Sequence, residues 1–185
     1  MSCAICETRV EKRFCLAVHG RICAPCCGRE REVTLDCPSQ CPWLQQARRN
    51  ERPRPFQDIP REELLPEIEI AQQTLVAREP LLIGISYAIA RAARADRALR
   101  DRDAIAGLAA LARRYQTRAN SGLIVDVATP NVAEQAVIAE IEKILSEYRQ
   151  VEERHTGYAT LRDSEIVQAL VFLLRTAHSR TSGRP

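Results

Sequence analysis

Apolar residues fall into a helical rhythm over residues 62–179, a stretch rich in Ala, Leu, Ile, Arg and Glu. About four main helices follow from it. The first opens at Pro80, a residue suited to the first helical position, and runs to about Leu99. Leu82, Ile85, Ile89 and Ala92 line its apolar face, and Arg91, Arg94 and Arg97 the opposite one. The second takes Asp101 as N-cap, carries the seam Ile105, Leu108, Ala112 and Tyr115, and stops near Arg118 ahead of Asn120 and Gly122. The third starts with Thr129 as N-cap and Pro130 behind it. Its seam, Val137, Ile141, Ile144, Tyr148 and Val151, alternates steps of four and three like a heptad stripe. The fourth follows Asp163 as N-cap. Ile166, Val167, Leu170, Val171, Phe172, Leu173 and Leu174 make it apolar almost all round, which predicts a buried central helix.

Other patterns are weaker. Glu67–Ile70 alternates polar and apolar residues and Leu123–Val127 is rich in strand formers, so the two can pair as a short ribbon. The run from Leu99 to Leu108 resembles that from Leu161 to Leu170: each opens Leu-Arg-Asp, places an acid two residues further on, and brings Leu at the same offset. Either a duplicated helical hairpin or shared helix capping produces such a match. Residues 51–61 carry three prolines and read as an extended linker. The expected fold class is therefore a small zinc-stabilised α+β module over residues 1–50, joined by the 51–61 linker to an all-α helical bundle over residues 62–185.

The case for metal rests on the first region. Besides Met1 it holds ten large apolar residues, too few for a core, and a unit this small needs a staple. All eight cysteines of the chain lie between Cys3 and Cys41. In a reducing compartment such clustering points to metal ligation before disulfides. Cys3 and Cys6 form one Cys-x2-Cys pair and Cys23 and Cys26 a second, with Pro25 and Gly28 favouring a tight turn whose amides face sulfur. Cys37 and Cys41 form a Cys-x3-Cys. With Cys37 as N-cap and Pro38 behind it, both thiols fall at a helix N-terminus, which stabilises thiolates. Two tetrahedral zinc sites use all eight: Cys3, Cys6, Cys23 and Cys26 in one, and Cys15, Cys27, Cys37 and Cys41 in the other. His19 is an alternative ligand in the second. A single zinc with free thiols and an iron–sulfur cluster stay open as alternatives.

This organisation of paired ligands and a ligand-bearing final helix resembles treble-clef and cross-brace zinc modules such as RING, B-box and MYND domains. The resemblance covers about residues 3–47 and departs from those families in its spacings and in the adjacent Cys26–Cys27 pair. It implies a zinc-fixed fold and no specific ubiquitin-ligase activity. Residues 21–28 followed by 36–44 also resemble a segment of uncharacterised bacterial proteins with a cysteine-rich N-terminus and a helical C-terminal half, which implies architecture only.

Charge changes the functional picture. Residues 1–55 carry ten Arg or Lys against six Asp or Glu, and eight thiolates with two Zn²⁺ cancel that excess. A strong nonspecific grip on nucleic acid, which needs a positive surface, is therefore not favoured. The segment with Arg48, Arg49, Arg52 and Arg54 is the local exception; it reads as a solvated linker or, alternatively, as a backbone contact for nucleic acid. His19, His155 and His178 sit in no catalytic motif and no glycine-rich phosphate loop occurs, so no enzyme is expected. His155 and His178 read as complements to helix C-terminal dipoles, and Arg91, Arg94 and Arg97 with Asp96, Asp101 and Asp103 as a salt-bridged solvent face. No apolar run is long enough to span a membrane, and residues 1–9 lack the features of a signal peptide, which predicts the cytoplasm. The expected role is a protein-interaction or scaffold module with an unknown protein partner or a second copy of itself; a nucleic-acid-associated regulator is the alternative.

Overall fold

The computed structural model describes residues 2–51, 55–96, 98–124, 129 and 131–181. The chain forms two compact units, one built on Met1–Pro53 and one on Arg54–Thr181.

In the first unit, strands β1 (Arg13–Cys15) and β2 (Gly20–Ile22) pair antiparallel, with Cys15 opposite Gly20 and Arg13 opposite Ile22. Helix α1 (Ala24–Glu30) follows at once, and α2 (Pro42–Asn50) closes the unit. Thiols and Ile22 make up the core, with Ile5, Ala17, Leu35 and Trp43 packed around them. The Arg13 guanidinium lies 4.6 Å from the centre of the Trp43 ring, joining β1 to α2.

Cys37 does not begin a helix as expected. The N-cap of α2 is Cys41, with Pro42 behind it. The sequence offers two Cys-Pro starts four residues apart, and they exclude each other. A helix begun at Pro38 would hold Cys41 in helical conformation, and a residue preceding proline avoids that region. Cys41 is extended at φ −63°, ψ 121°, and its N–H closes a turn on the Pro38 carbonyl at 2.8 Å.

The second unit contains α3 (Gln72–Ala77), α4 (Glu79–Ala95), α5 (Asp101–Ser121), α6 (Val132–Thr156) and α7 (Asp163–Arg180). Helix α5 packs along α7, α4 along α6, and α5 also along α6. Leu81, Ile85, Leu108, Leu111, Ile141, Leu145, Ile166, Leu170 and Leu174 are all but fully withdrawn from water. Gly84 lets α4 approach α6: a β-carbon there would stand 2.9 Å from Cγ2 of Ile144, a stiff β-branched side chain. Val151, at the end of the predicted α6 seam, is exposed.

Several sequence expectations are corrected. The cap of α6 is Asn131, whose side-chain oxygen accepts from the N–H groups of Ala133 and Glu134; Thr129 instead donates to Glu134. Both residues are good caps, and Asn131 also donates to the buried Asp103 carboxylate, binding the start of α6 to the start of α5. Asp103 is thus no member of a solvent face, and Arg91 pairs with Glu140 of α6 rather than with a neighbouring aspartate. Helices α5 and α7 begin alike: Asp103 accepts from the Arg100 N–H and Glu165 from the Arg162 N–H, each at 2.9 Å. The local match between the two segments thus includes a shared helix cap.

Glu67–Ile70 forms no strand. Residues 65–68 turn, with the Ile68 N–H on the Leu65 carbonyl, and bury Leu65 and Ile68 in the helical core. Arg175 of α7 holds this segment by donating to the carbonyls of Leu64, Leu65 and Ile68 at 2.7–2.9 Å. The other half of the proposed ribbon, Val125–Val127, lies outside the described residues, as do Arg52, Arg54, Arg97 and Pro130. Within the expected linker, Phe56–Asp58 forms a short 3-10 turn and Ile59 is buried.

A half-buried ionic network joins the α3–α4 junction to the loop before α7. Arg78 donates to Glu152 at 2.6 Å, to both oxygens of Glu165 at 3.0 and 3.1 Å, and to the Thr160 hydroxyl. Glu152 in turn accepts from the N–H groups of Thr160 and Leu161. Burial opposes both carboxylates' charge, but these hydrogen bonds outweigh it and hold Glu152 and Glu165 below the ordinary glutamate range.

Candidate metal centre

The Sγ atoms of Cys3, Cys6, Cys23 and Cys26 lie within 4.8 Å of one another. Three local structures place them. Cys3 and Cys6 sit on a loop that turns back on itself: the Glu7 N–H meets the Cys3 carbonyl at 2.8 Å, with Glu7 left-handed at φ 56°. The hairpin carries the chain out and back, and the Ala4 N–H bonds to the Arg21 carbonyl, so the loop lies beside the end of β2. Cys23 then caps α1, with Pro25 in its first turn. The expected tight turn around Pro25 is thus a helix N-terminus, and Gly28 lies within the helix.

Backbone amides point at the sulfurs. The Cys23 N–H donates to Cys3 Sγ at 3.2 Å, the Ile5 N–H to the same sulfur at 3.5 Å, and the Cys26 N–H to Cys23 Sγ at 3.4 Å. Such bonds stabilise thiolate over thiol. Burial pushes the Cys3 thiol up, yet amide bonds from Cys6, Cys23 and Ile5 leave it below the ordinary cysteine value. Cys6 is lowered to about 5, first by the Thr8 hydroxyl and then by the Thr8 and Arg9 amides. Cys26 is pushed up to about 12 by its hydrogen bond with Cys23, by burial and by the other two sulfurs. Four thiolates this close repel one another, and a cation is what lets all four ionise together. Thr8 was not singled out from the sequence; a hydroxyl two residues after a Cys-x2-Cys is its signal.

The spacing suits a single ion. Tetrahedral zinc with Zn–S bonds of about 2.3 Å requires sulfurs about 3.8 Å apart. Cys6 Sγ and Cys23 Sγ are 4.0 Å apart. Cys3, Cys23 and Cys26 are buried and Cys6 is half-buried, so the four can hold a metal ion largely shielded from water.

This is the one group of three or more Cys, His, Asp or Glu side chains gathered for a metal among the described residues. Cys15, Cys27 and Cys41 are buried and Cys37 half-buried, at the end of β1, within α1, at the α2 cap and ahead of the Pro38 turn. Burial raises the Cys37 thiol, and the charges of Cys15, Cys41 and Glu32 act in the same direction. Arg31 Nη2 stands 3.9 Å from Cys27 Sγ, while Arg31 Nε is buried with no hydrogen-bond partner. His19 is exposed in the β1–β2 turn in a left-handed conformation, φ 48°.

Among the expected nucleic-acid contacts, Arg48 pairs with Glu32 at 2.7 Å, and Arg49 is exposed on the last turn of α2. His178 is buried near the end of α7, 3.8 Å from Glu63, and His155 lies in the last turn of α6. No helix among the described residues is long and apolar enough to cross a membrane.

No family model matches this chain, and no curated protein or solved structure matches it.

Proposed function

We propose that this is a non-enzymatic zinc protein in which metal fixes the N-terminal unit as a protein-interaction or scaffold surface. The observation that carries the reading is the closed set of four sulfurs with amides aimed at them. Four protein ligands leave no open position for water or substrate, which favours a structural over a catalytic ion. The two Cys-x2-Cys pairs that carried the treble-clef resemblance supply all four sulfurs, one pair from a loop and the other from the start of α1. A polynuclear iron–sulfur cluster places its thiolates on separate irons and suits so tight a set less well.

The reading extends to a second zinc on Cys15, Cys27, Cys37 and Cys41. Its support is that Cys15 and Cys41 lie near enough to Cys37 for their charges to act on it, and that the Arg31 guanidinium, through Nη2 at 3.9 Å, favours an ionised Cys27. Metal analysis tests both steps. Purified protein is expected to carry two zinc ions; Cys41→Ser loses one and Cys3→Ser the other. One ion that survives Cys41→Ser confines the account to the first site, and an iron-bearing protein refutes zinc.

The nucleic-acid alternative has less support, because Glu32 already neutralises Arg48. Replacing Arg48, Arg49, Arg52 and Arg54 with Ala is expected to leave binding to duplex or single-stranded nucleic acid weak and its salt dependence unaltered. Submicromolar binding whose salt slope shrinks by about 3–4 units in that variant would favour the alternative instead.

A further inference from the structure

The outer face of α4 differs from that of its packing partner α6. On α6 the exposed positions include Lys143, Glu147, Gln150 and Arg154. On α4, Ile83 and Tyr87 are 63% and 62% exposed, one helical turn apart. Pro80 and Ala90, also exposed, extend them into a stripe at 80, 83, 87 and 90, the three-four spacing of a helix-pairing seam. Between Glu79 and Arg94 the only charged residue is Arg91, and Glu140 holds its guanidinium. Val76 of α3, shortly before α4 in the chain, is a further apolar side chain 69% exposed. Single exposed apolar residues are ordinary; a continuous uncharged stripe along a helix is what interaction surfaces look like.

The two ends of the stripe say what fits it. Glu79 is exposed at the N-terminal end and Arg94 at the C-terminal end. Laid antiparallel on a second α4 about a two-fold axis between Ser86 and Tyr87, each Glu79 meets Arg94 of the other copy. The same register sets Ile83 against the small Ala90, Pro80 against Ala93 and Tyr87 against Ser86. The helix dipoles also oppose favourably in that arrangement. A self-complementary patch of this kind is the signature of a two-fold interface. We propose that α4 pairs antiparallel with α4 of a second copy, through Pro80, Ile83, Tyr87 and Ala90, with Glu79 and Arg94 setting the direction.

This goes beyond the interaction surface proposed for the N-terminal unit: it names a second surface, on the helical unit, and its partner, and it depends on α4 rather than on the metal. Sedimentation of the full chain, metal-loaded, across the micromolar range is the test. Wild type is expected to be a dimer. Ile83→Lys is expected to give a monomer with unchanged helix content, since Ile83 packs into no core. Glu79→Arg and Arg94→Glu should each weaken dimerisation by about tenfold, and the double variant should recover it. A wild-type monomer throughout that range, a dimer indifferent to Ile83→Lys, or charge reversals that fail to rescue one another would each overturn the proposal. Metal content measured on the same samples keeps the outcomes apart: a monomer with its zinc rejects this interface alone, and a dimer without zinc rejects the metal reading alone.

Discussion

In the unit built on Met1–Pro53 the buried side chains are mostly thiols, whereas in Arg54–Thr181 they are aliphatic. Of the largest fully buried side chains, Ile22 and Leu44 belong to the first, while Leu81, Ile85, Leu108, Leu111, Val137, Ile141, Leu145, Ile166, Leu170 and Leu174 belong to the second. Apolar burial contributes about 1.5–3 kcal/mol for each such residue, so the helical unit has a core that can offset its chain entropy and the cysteine unit does not. Polar groups divide the same way. The helical unit holds its half-buried charges Arg78, Glu152 and Glu165 in a mutually satisfied set, and its buried Asp103 accepts from Asn131. The cysteine unit brings together four sulfurs, two of them held below the ordinary thiol value and one pushed above it, a set that could hold a metal ion. One unit is specified by apolar packing; the other, on the proposed reading, by coordination.

Metal removal should separate the two most sharply. Structural zinc supplies folding free energy of about 10–16 kcal/mol in small modules. Chelation is expected to unfold residues 1–47 and leave the helical signal largely intact, as read by amide hydrogen exchange. Equal loss of protection in α5 and α7 would show that the division is wrong.

Within the helical unit, Arg78→Ala strands two carboxylates and should cost about 3–5 kcal/mol in denaturant unfolding. A cost below about 1 kcal/mol, the value of exposed pairs, would mean water reaches the network. Leu170→Ala removes a side chain with no exposure from the central helix and should cost about 2–5 kcal/mol. A change within about half a kcal/mol would place α7 at the surface.

The smallest effect is expected from acid. Glu152 and Glu165 have native values below the unfolded one, so their stabilisation is complete above the ordinary glutamate value of about 4.3 and is lost as pH falls through the native values. The melting temperature of the helical unit should therefore drop below that pH, and less so in Glu152→Gln. Identical acid curves for the two proteins would remove Glu152 from the account.

Much of this division is legible in the sequence, because periodicity reports burial. The four long helices follow from apolar spacing, and Cys3, Cys6, Cys23 and Cys26 are the four that pair spacing groups together. What escaped depends on partners distant in the chain. Asp103 looks like a surface acid until Asn131, 28 residues later, donates to it. Glu67–Ile70 looks like a strand because the groups that hold the backbone around it, Gln168 and Arg175, belong to α7. The start of α2 depended on a choice between two Cys-Pro steps that the backbone rule for residues preceding proline decides. Along α4 the spacing sets an apolar face against Arg91 and Arg94, and only the packing against α6 shows which face stays outside.

The central claim is that a metal held by four sulfurs builds the N-terminal unit, and X-ray absorption at the zinc edge of the purified full chain tests it most directly. The account predicts a first shell of four sulfurs at about 2.3 Å and no nitrogen or oxygen. A shell containing nitrogen or oxygen, or a folded N-terminal unit purified without metal, would contradict it.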